Sequence, residues 1–401
     1  MARDRVVIVG AGPVGLLNAL GLARAGVPVT VLEREPEIPA SPRAMVYLWK
    51  ALDGLERLGI LEDAKHAGFT TQAGVSIWDF KTGEEIPWRL GVLEGHARHP
   101  YNMNLGQYRL AEIALGHLER LPDTDVHFAT AMTGLAQDDD GVTLQIEDAR
   151  GPSTLRAAWV IGADGAGSAV RKALGLAFDG MTWPERFVAT NVRYDFSALG
   201  YGDSNFLVDP EHGAVIARID DSGLYRCTYC EDASLPEETI EERMPDYFRA
   251  ILPEGDVPEV VQWSPYRMHQ RAAERMRVGR VVLAGDAAHA TNPTGGMGLT
   301  SGLFDTFVLY DALAAIVGDD ASPDVLDRYS EERLRTFLEL ASPQASAFKR
   351  LVFHAHDREQ LEQQLQDMRR ISRDRDALRE THFAARALET PSLVANGASA
   401  D

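Results

Sequence analysis

Apolar residues in the first thirty positions form two short runs separated by a helical pattern. Residues 5–9 (RVVIV) and 27–32 (VPVTVL) have the length and composition of buried strands. Between them, residues 15–25 (GLLNALGLARA) repeat apolar side chains at helical spacing, and Gly26 ends that pattern. This order predicts a strand, a helix and a second strand, a βαβ unit at the start of the chain.

Further along, the pattern changes from mixed elements to strands alone and then to helices alone. Helices are predicted over residues 45–58 and 108–121, and short strands over 126–130, 142–147 and 157–161. The stretch 183–265 has successive strand patterns, with an acidic helix near 237–252 and without βαβ alternation. We therefore expect a mixed or antiparallel sheet that forms a separate layer, followed by helices after residue 298.

A glycine-rich turn joins the first predicted strand to the first helix. It matches G-x-G-x-x-G, whose glycines allow a tight turn, close approach of a pyrophosphate and close helix packing. The helix start presents free N–H groups to phosphates, and an acid at the end of the second strand is placed to accept hydrogen bonds from a ribose 2′-OH. The pattern predicts an adenine dinucleotide site, for NAD or FAD rather than NADP; a turn that binds no ligand is the alternative. The candidates here are Gly10, Gly12, Pro13, Val14, Gly15, Glu33 and Arg34.

Composition and charge narrow the possible partners. The chain has 401 residues, 45% of them hydrophobic, and a formal net charge of −20. Such a surface would repel nucleic acid and anionic membranes, and no uninterrupted apolar run approaches the roughly 20 residues of a membrane span. No signal-peptide pattern precedes the first strand, so we expect a cytoplasmic protein of two or three structural units.

The two cysteines, Cys227 and Cys230, lie in one predicted strand as C-x-x-C. Residues three apart in a strand point to opposite faces. There is no second pair to complete a metal site. We therefore expect two unpaired thiols and no bound metal.

Three further segments accompany the glycine turn. Ser41-Pro-Arg43-Ala44 precedes a predicted helix, and residues 158–171 (AWVIGADGAGSAVR) predict a strand, a turn and a helix. Residues 279–299 (GRVVLAGDAAHATNPTGGMGL) add a second glycine-rich loop. In order and approximate spacing over residues 1–340, these motifs resemble the class A flavoprotein monooxygenases, the family of p-hydroxybenzoate hydroxylase.

The resemblance implies an α/β fold of the p-hydroxybenzoate hydroxylase type. A discontinuous Rossmann-like FAD-binding domain would comprise residues 1–73, 100–180 and 268–340. A substrate-binding domain with a mixed or antiparallel β-sheet would comprise 74–99 and 181–267, and a C-terminal helical region would follow at 341–401.

The resemblance also implies that both glycine-rich segments hold one FAD molecule. Arg43 would contact the pyrophosphate side, Gln107 would lie near the ribityl chain, and Asp164 would lie near the pyrophosphate. The flavin end would meet Gly285, Asp286, Pro293, Gly296, Gly298, Leu299 and Thr300. Asp286 would accept hydrogen bonds from ribityl hydroxyls, and the backbone N–H groups of Leu299 and Thr300 would face the flavin pyrimidine carbonyl.

One residue departs from the family pattern. Thr300 stands where the family commonly has Asn. If the flavin contact runs through the backbone, little changes; if it runs through the side chain, flavin mobility or potential differs.

The implied activity is hydroxylation of a small phenolic or N-heteroaromatic substrate. NADH or NADPH would reduce FAD, and O₂ would form a flavin C4a-hydroperoxide that delivers an oxygen atom. A flavin-dependent reductase or dehydrogenase of the same fold is one alternative, and a non-catalytic nucleotide-binding regulator is another. A flavin halogenase would carry W-x-W-x-I-P, which is absent. The substrate, the choice between NADH and NADPH, and the oligomeric state, a homodimer included, stay open.

The catalytic candidates are Pro293, expected beside the flavin ring, and Arg218, Tyr225 and Arg226 on the predicted middle strands. The last three are candidates for binding a carboxylate or polarising a phenol. Strand alternation places Tyr225 and Arg226 on opposite faces, so at most one of them faces the pocket.

Overall fold

The computed structural model describes residues 5–40 and 44–394. Within these ranges the strands are β1 (Val6–Val9), β2 (Val29–Leu32), β3 (Val46–Tyr47), β4 (Phe69–Thr71), β5 (Val75–Asp79), β6 (Glu84–Trp88), β7 (Asn102–Asn104), β8 (Thr124–His127), β9 (Ala131–Asp138), β10 (Gly141–Asp148), β11 (Gly151–Ala157), β12 (Trp159–Gly162), β13 (Phe178–Arg193), β14 (Ser204–Val208), β15 (Ala214–Arg218), β16 (Leu224–Asp232), β17 (Glu259–Ala273), β18 (Arg277–Val278), β19 (Val281–Leu283) and β20 (His289–Ala290).

The helices in the same ranges are α1 (Pro13–Arg24), α2 (Trp49–Arg57), α3 (Leu61–Ala67), α4 (Gln107–Leu118), α5 (Ala169–Ala173), α6 (Ile240–Ile251), α7 (Met297–Val317), α8 (Val325–Thr336), α9 (Ser342–Phe353), α10 (Arg358–Arg373) and α11 (Arg375–Ala384). A π-helical turn, Phe337–Ala341, joins α8 to α9.

A six-stranded sheet brings distant parts of the sequence together. Its order is β18-β19-β12-β1-β2-β8, and all neighbours are parallel except β18 and β19. β1 and β2 are buried along their whole length, as expected for strands covered on both faces. The predicted βαβ unit is confirmed as β1, α1 and β2.

The eight-stranded sheet has the order β20-β17-β13-β16-β15-β14-β5-β6. It is antiparallel except where β14 pairs with β5, which confirms the expected mixed sheet. One surface, called here the α6 face, packs Val188 and Ile216 against α6. The opposite surface, the α9 face, packs Phe187, Phe206 and Met268 against α9.

The longest helix in the described ranges, α7, lies in the largest hydrophobic core of the protein. By length and composition it is able to cross a membrane, but 78% of its apolar window is buried inside the protein. Its buried residues include Leu303, Phe307 and Leu313, which belong to the largest hydrophobic cluster. Burial within the protein therefore accounts for its apolar composition.

The C-terminal helices are fastened to the rest of the chain. Because α8, the π-helical turn and α9 are continuous, one helix runs across residue 340, where the predicted FAD-binding domain ends. In α10, Arg358 pairs with the buried Asp79, and this contact lowers the pKa of Asp79. Arg369 donates from Nε to Glu84 at 2.8 Å.

Three predicted elements were wrong in their bounds. The strand predicted over residues 126–130 is β8, which ends at His127. The helix predicted over residues 45–58 begins only at Trp49, because Val46 and Tyr47 pair with β7 instead. The strand predicted over 157–161 is split at Ala158 between β11 and β12, which belong to different sheets. Around residue 46 the apolar pattern fits a strand as well as a helix, and around residue 158 a continuous apolar run does not show where one strand ends and the next begins. The two cysteines are free and lie on opposite faces of β16, as predicted.

Candidate active site

The carboxyl ends of four neighbouring parallel strands meet at one edge of the six-stranded sheet. β1 leads into Gly10, β2 into Glu33, β12 into the turn at Asp164, and β19 into Gly285. In open α/β sheets, ligands bind outside such strand ends. Motifs that are far apart in sequence are therefore side by side in the fold.

The three glycines of the first turn serve three purposes. Gly10 has φ +108°, a conformation that L side chains rarely adopt, and a Cβ there would overlap the carbonyl oxygen of Ala163. A Cβ on Gly15 would overlap the carbonyl oxygen of Gly10, so glycine lets α1 begin directly against β1. A Cβ on Gly12 would meet nothing within 4 Å. The backbone at Gly12 therefore faces open space.

Glu33 links the second strand to this turn. Its Oε2 accepts from the N–H of Ala11 at 2.8 Å, and its Oε1 accepts from the N–H of Glu35 at 3.0 Å. Each carboxylate oxygen has two lone pairs, so both oxygens can accept a further bond. Arg34 is exposed and lies 3.2 Å from Glu35, Nε to Oε1.

The two glycine-rich segments touch each other. A Cβ on Gly285 would lie 3.0 Å from Val14 Cγ2, and a Cβ on Gly302 would lie 2.8 Å from the same atom. Asn18 reinforces this contact by donating to the carbonyl of Val14 at 2.8 Å and bonding to Thr306 at 3.0 Å. The segments therefore form one continuous surface.

Asp164 acts within its own motif. Its Oδ1 accepts from the Ser168 hydroxyl, and its Oδ2 accepts from the N–H groups of Ala169 and Val170 at 2.6 and 3.1 Å. These bonds satisfy the start of α5. From α5, Arg171 donates to the carbonyl of Ala287 at 2.8 Å and so ties this motif to the second glycine-rich segment. The cofactor contact implied for Asp164 stays a prediction.

The second glycine-rich segment ends in what we call the 291–298 turn. Pro293 is exposed on it, and Gly296, with φ +71°, precedes α7 without a side-chain cap. The N–H groups of the first helical turn, including Gly298 and Leu299, have no acceptor within the helix. This helix start therefore offers donors and a positive dipole end to a ligand.

The hydroxyl of Thr300 donates back to the carbonyl of Gly296 at 2.7 Å. The side chain is thus used inside the helix, and the turn presents backbone groups instead. Of the two cases left open by the sequence, this bond favours a flavin contact through the backbone. The N–H of Thr300 itself also donates to the carbonyl of Gly296, at 3.4 Å, so of the two N–H groups expected to face the flavin, that of Leu299 is the one without an acceptor inside the helix. Asp286 is exposed where β19 ends.

Gln270 of β17 holds the 291–298 turn in place. Its Oε1 accepts from the Thr291 hydroxyl at 3.0 Å, and from the N–H and Nδ2 of Asn292 at 3.2 and 3.1 Å. One amide oxygen thus accepts from three donors on the turn. The eight-stranded sheet and the turn are consequently fixed relative to each other.

A buried ionic cluster lies behind this segment. Asp305 accepts from the N–H of Gly285 at 2.9 Å, from Nε2 of His289 at 2.7 Å and from Nε of Arg333 at 2.8 Å. Burial alone would raise the pKa of Asp305, but His289 and Arg333 lower it to about 2. The His289 ring also stacks on Phe337. The cluster therefore fixes the turn that carries Asp286.

The structure separates the candidates on the eight-stranded sheet. Tyr225 is buried on the α6 face beside Phe196. Arg218 pairs across the sheet with Tyr225 and so shares that face, where it bonds Asp203 at 2.7 Å. These contacts give Arg218 and Tyr225 structural partners and do not support the catalytic roles expected of them.

Arg226 points to the opposite, α9 face. Its Nε donates to Oδ1 of Asn191 at 2.7 Å, and burial lowers the pKa of its guanidinium to about 10. Phe206 of the same face packs on Phe348, with ring centroids 5.5 Å apart. Phe348 in turn contacts Gly295 of the 291–298 turn. The face that carries Arg226 is thus adjacent to the turn.

Two further residues, Gln107 and Arg43, were expected to contact the cofactor. Gln107 begins α4, and its N–H donates to the carbonyl of Ala44 at 3.1 Å. Arg43 lies outside the described residues. Both cofactor contacts stay predictions.

Sequence reasoning missed several residues that shape this site. Asp305, Arg333 and Gln270 support the 291–298 turn and its neighbours from other elements, and Phe348 packs directly on the turn. Only Asp305 left a signal, as a charged residue within the otherwise apolar helix α7, because a buried charge requires a partner.

The donor set fits FAD. α1 and α7 both begin at glycine caps that make no side-chain hydrogen bond, so the N–H groups of their first turns are available to acceptors. The start of α1 suits a pyrophosphate beside Gly12. The start of α7 suits a flavin carbonyl, and the acids Glu33 and Asp286 suit sugar and ribityl hydroxyls.

Comparison with known proteins agrees with this fit. The family model described as the FAD binding domain matches residues 3–341. The 6-hydroxy-3-succinoylpyridine 3-monooxygenase HspB of Pseudomonas putida (strain DSM 28022 / S16) is 44% identical over 390 residues, which cover 97% of this chain and 99% of that protein. The para-nitrophenol 4-monooxygenase of Pseudomonas sp. (strain WBC-3) is 44% identical over 354 residues, or 86% of each chain.

Solved structures give the same result. The p-nitrophenol 4-monooxygenase PnpA from Pseudomonas putida DLL-E4 superposes with a TM-score of 0.92 at 40% identity, covering 96% of this chain and 98% of that one. This chain therefore belongs to the class A family of FAD-dependent aromatic monooxygenases, which confirms the fold, the cofactor and the hydroxylase activity expected from its sequence motifs.

Proposed function

We propose that this enzyme hydroxylates a small phenol or hydroxypyridine that carries a substituent para to the ring hydroxyl. Two relatives are named as monooxygenases of such compounds, 6-hydroxy-3-succinoylpyridine and para-nitrophenol. In both names the oxygenated carbon lies para to the hydroxyl and already carries the substituent. An ionised ring hydroxyl enriches that carbon in electrons, so an electrophilic oxygen is directed to it. The new C–O bond therefore replaces the bond to that substituent; from para-nitrophenol the nitro group leaves as nitrite with its electron pair and a quinone remains, which NADH or NADPH can reduce to the hydroquinone.

The position of Arg226 carries this proposal. It is a guanidinium on the α9 face of the sheet, and that face adjoins the 291–298 turn through Phe206 and Phe348. A substrate between the face and the turn would have a cation beside it. The cation stabilises a phenolate or another anionic group.

FAD, reduced by NADH or NADPH, supplies the electrophilic oxygen from O₂. The residues of this chain bind and orient the cofactor and the substrate, and they exclude water from the site. The uncapped start of α7 stabilises negative charge on an acceptor placed there. Pro293 and the aromatic residues of the α9 face provide a dry surface for a flat ring, and Arg226 holds its anionic group.

Oxygen labelling tests the proposal. The purified protein is expected to be yellow and to consume NADH or NADPH when para-nitrophenol or a 6-hydroxypyridine with a 3-acyl group is added. With ¹⁸O₂, the label is expected in the ring product, a quinone or the dihydroxy compound formed by its reduction, and nitrite is expected as the second product from para-nitrophenol. Consumption of NAD(P)H with a product that carries no label would favour the reductase alternative, and a protein that takes up no FAD would favour the regulator.

Replacing Arg226 tests the substrate contact. Hydrogen bonds to charged groups contribute about 1.5–3 kcal/mol, so Arg226→Ala is expected to lower kcat/KM about tenfold to a hundredfold, and Arg226→Lys less. Substrate binding is measured from the change in flavin absorbance. Arg218→Ala, on the α6 face, is the matched control; an equal loss of substrate affinity there would contradict the assignment.

A further inference from the structure

We infer that Phe348, from the C-terminal helix α9, is a specificity-determining residue that forms a side wall of the substrate pocket. This inference rests on the proposed function and concerns how large a ring substituent the pocket admits. The wall stands between the 291–298 turn and the α9 face of the eight-stranded sheet. Sequence motifs gave no sign of it, because residues after 340 carried no recognised site.

The contacts of Phe348 define the wall. A Cβ on Gly295 would lie 2.6 Å from Cδ2 of Phe348, so the ring rests directly on the backbone of the turn. On its other side the ring packs against Phe206 of β14. Phe206 pairs with Val215, which pairs with Thr228, two residues from Arg226 on the same face. One aromatic ring therefore connects the turn to the face that carries Arg226.

The helix that carries this ring is held firmly. Gln270, which holds the 291–298 turn, also donates from Nε2 to the carbonyl and hydroxyl of Ser342 at 3.0 and 2.7 Å. Near the other end of α9, the buried Lys349 donates to Glu185 at 3.0 Å and lies 4.3 Å from the ring centroid of Trp183. Phe348 is thus a fixed wall and not part of a mobile lid.

The exposure of Phe348 fits a surface that contacts a ligand. Its neighbours Ala345 and Lys349 are fully buried, whereas Phe348 is only half-buried. The π-helical turn Phe337–Ala341 precedes α9 and changes the rotation of the following residues relative to α8. Arg333 reaches Asp305 from before that turn, and Phe348 reaches Gly295 from after it. A flat aromatic wall suits a flat ring and limits its substituents.

Substitution of Phe348 tests this inference in the full-length FAD-loaded enzyme. Phe348→Ala is expected to raise, about tenfold, the ratio of kcat/KM for a phenol with a bulkier substituent to kcat/KM for para-nitrophenol. Phe348→Trp is expected to lower that ratio. Substrate dissociation constants from flavin absorbance should shift in the same directions, while the FAD content of each variant is measured separately.

Phe383→Ala is the matched control. Phe383 is also a half-buried phenylalanine of the C-terminal region, but it packs edge-on against Trp49, away from the 291–298 turn. It is expected to leave the ratio unchanged. If the wild type forms labelled product and the Phe348 variants give the same ratio as the Phe383 control, the inference is overturned while the proposed function stands. Phe348→Leu, which keeps an apolar side chain of intermediate size, must give an intermediate ratio; failure to do so also counts against it. Absence of labelled product from the wild type would instead overturn the proposed function.

Discussion

Alanine at Gly15 is expected to weaken FAD binding about tenfold to a hundredfold. The added Cβ would overlap the carbonyl oxygen of Gly10, which is backbone and cannot rotate away as a side chain would. Overpacking of this kind costs about 1–3 kcal/mol. Because the strain falls on the turn that forms the open space beside Gly12, it disturbs the pyrophosphate site first.

The measurement is the dissociation constant of FAD, followed by flavin fluorescence as apoprotein is titrated. Gly116→Ala is the control, because Gly116 lies within α4 and a Cβ there would meet nothing within 4 Å. That control is expected to keep FAD and to gain up to about 1 kcal/mol from helix propensity. Equal FAD affinity in the Gly15 variant and the wild type would show that the turn does not bind the cofactor.

Removal of the Asp305 carboxylate is expected to reduce the free energy of unfolding by about 3–5 kcal/mol, since it leaves a buried arginine without its counterion. Asp305→Ala removes the acceptor for Arg333, His289 and the N–H of Gly285 together. Urea unfolding measures the loss. Asp327→Ala, which removes an exposed carboxylate paired with Arg277, should cost about 0–1 kcal/mol. A similar small cost for Asp305→Ala would mean that the cluster contributes little.

The same carboxylate predicts a pH dependence. The pKa of Asp305 is about 2 in the folded protein, below its value of about 3.9 in an unfolded chain. Its contribution is therefore fully present above about pH 4 and is lost as the pH falls towards 2. Asp305→Asn should remove this part of the acid sensitivity, which unfolding measurements across that range would detect.

Local patterns predicted the parts of the site that depend on nearby residues. Gly10, Gly12 and Gly15 could be assigned because a strand, a turn and a helix follow one another within a short stretch. Alternation placed Tyr225 and Arg226 on opposite faces of their strand, but it could not show which of the two faces adjoins the 291–298 turn. That depends on α6 and α9, which pack on the two faces from later in the chain.

Contacts between distant elements were beyond such patterns. The wall residue Phe348 meets Gly295 and Phe206, and Arg333 meets Asp305, only because a helix after residue 324 folds back over the turn. Asp164 matched a family motif, yet its hydrogen bonds stay within five or six residues of itself. A motif indicates where a residue is needed without specifying which partner it has.

The strand order of the six-stranded sheet has a consequence for synthesis of the protein. β1 lies between β2 and β12, and β12 lies between β1 and β19. During translation β1 and β2 leave the ribosome long before β12, so one hydrogen-bonding edge of the apolar strand VVIV stays open in the nascent chain. Open apolar edges are sites of aggregation. That edge of β1 is covered only after residue 162 has been synthesised, and the four strand ends that form the candidate site are assembled only after β19 has joined the sheet.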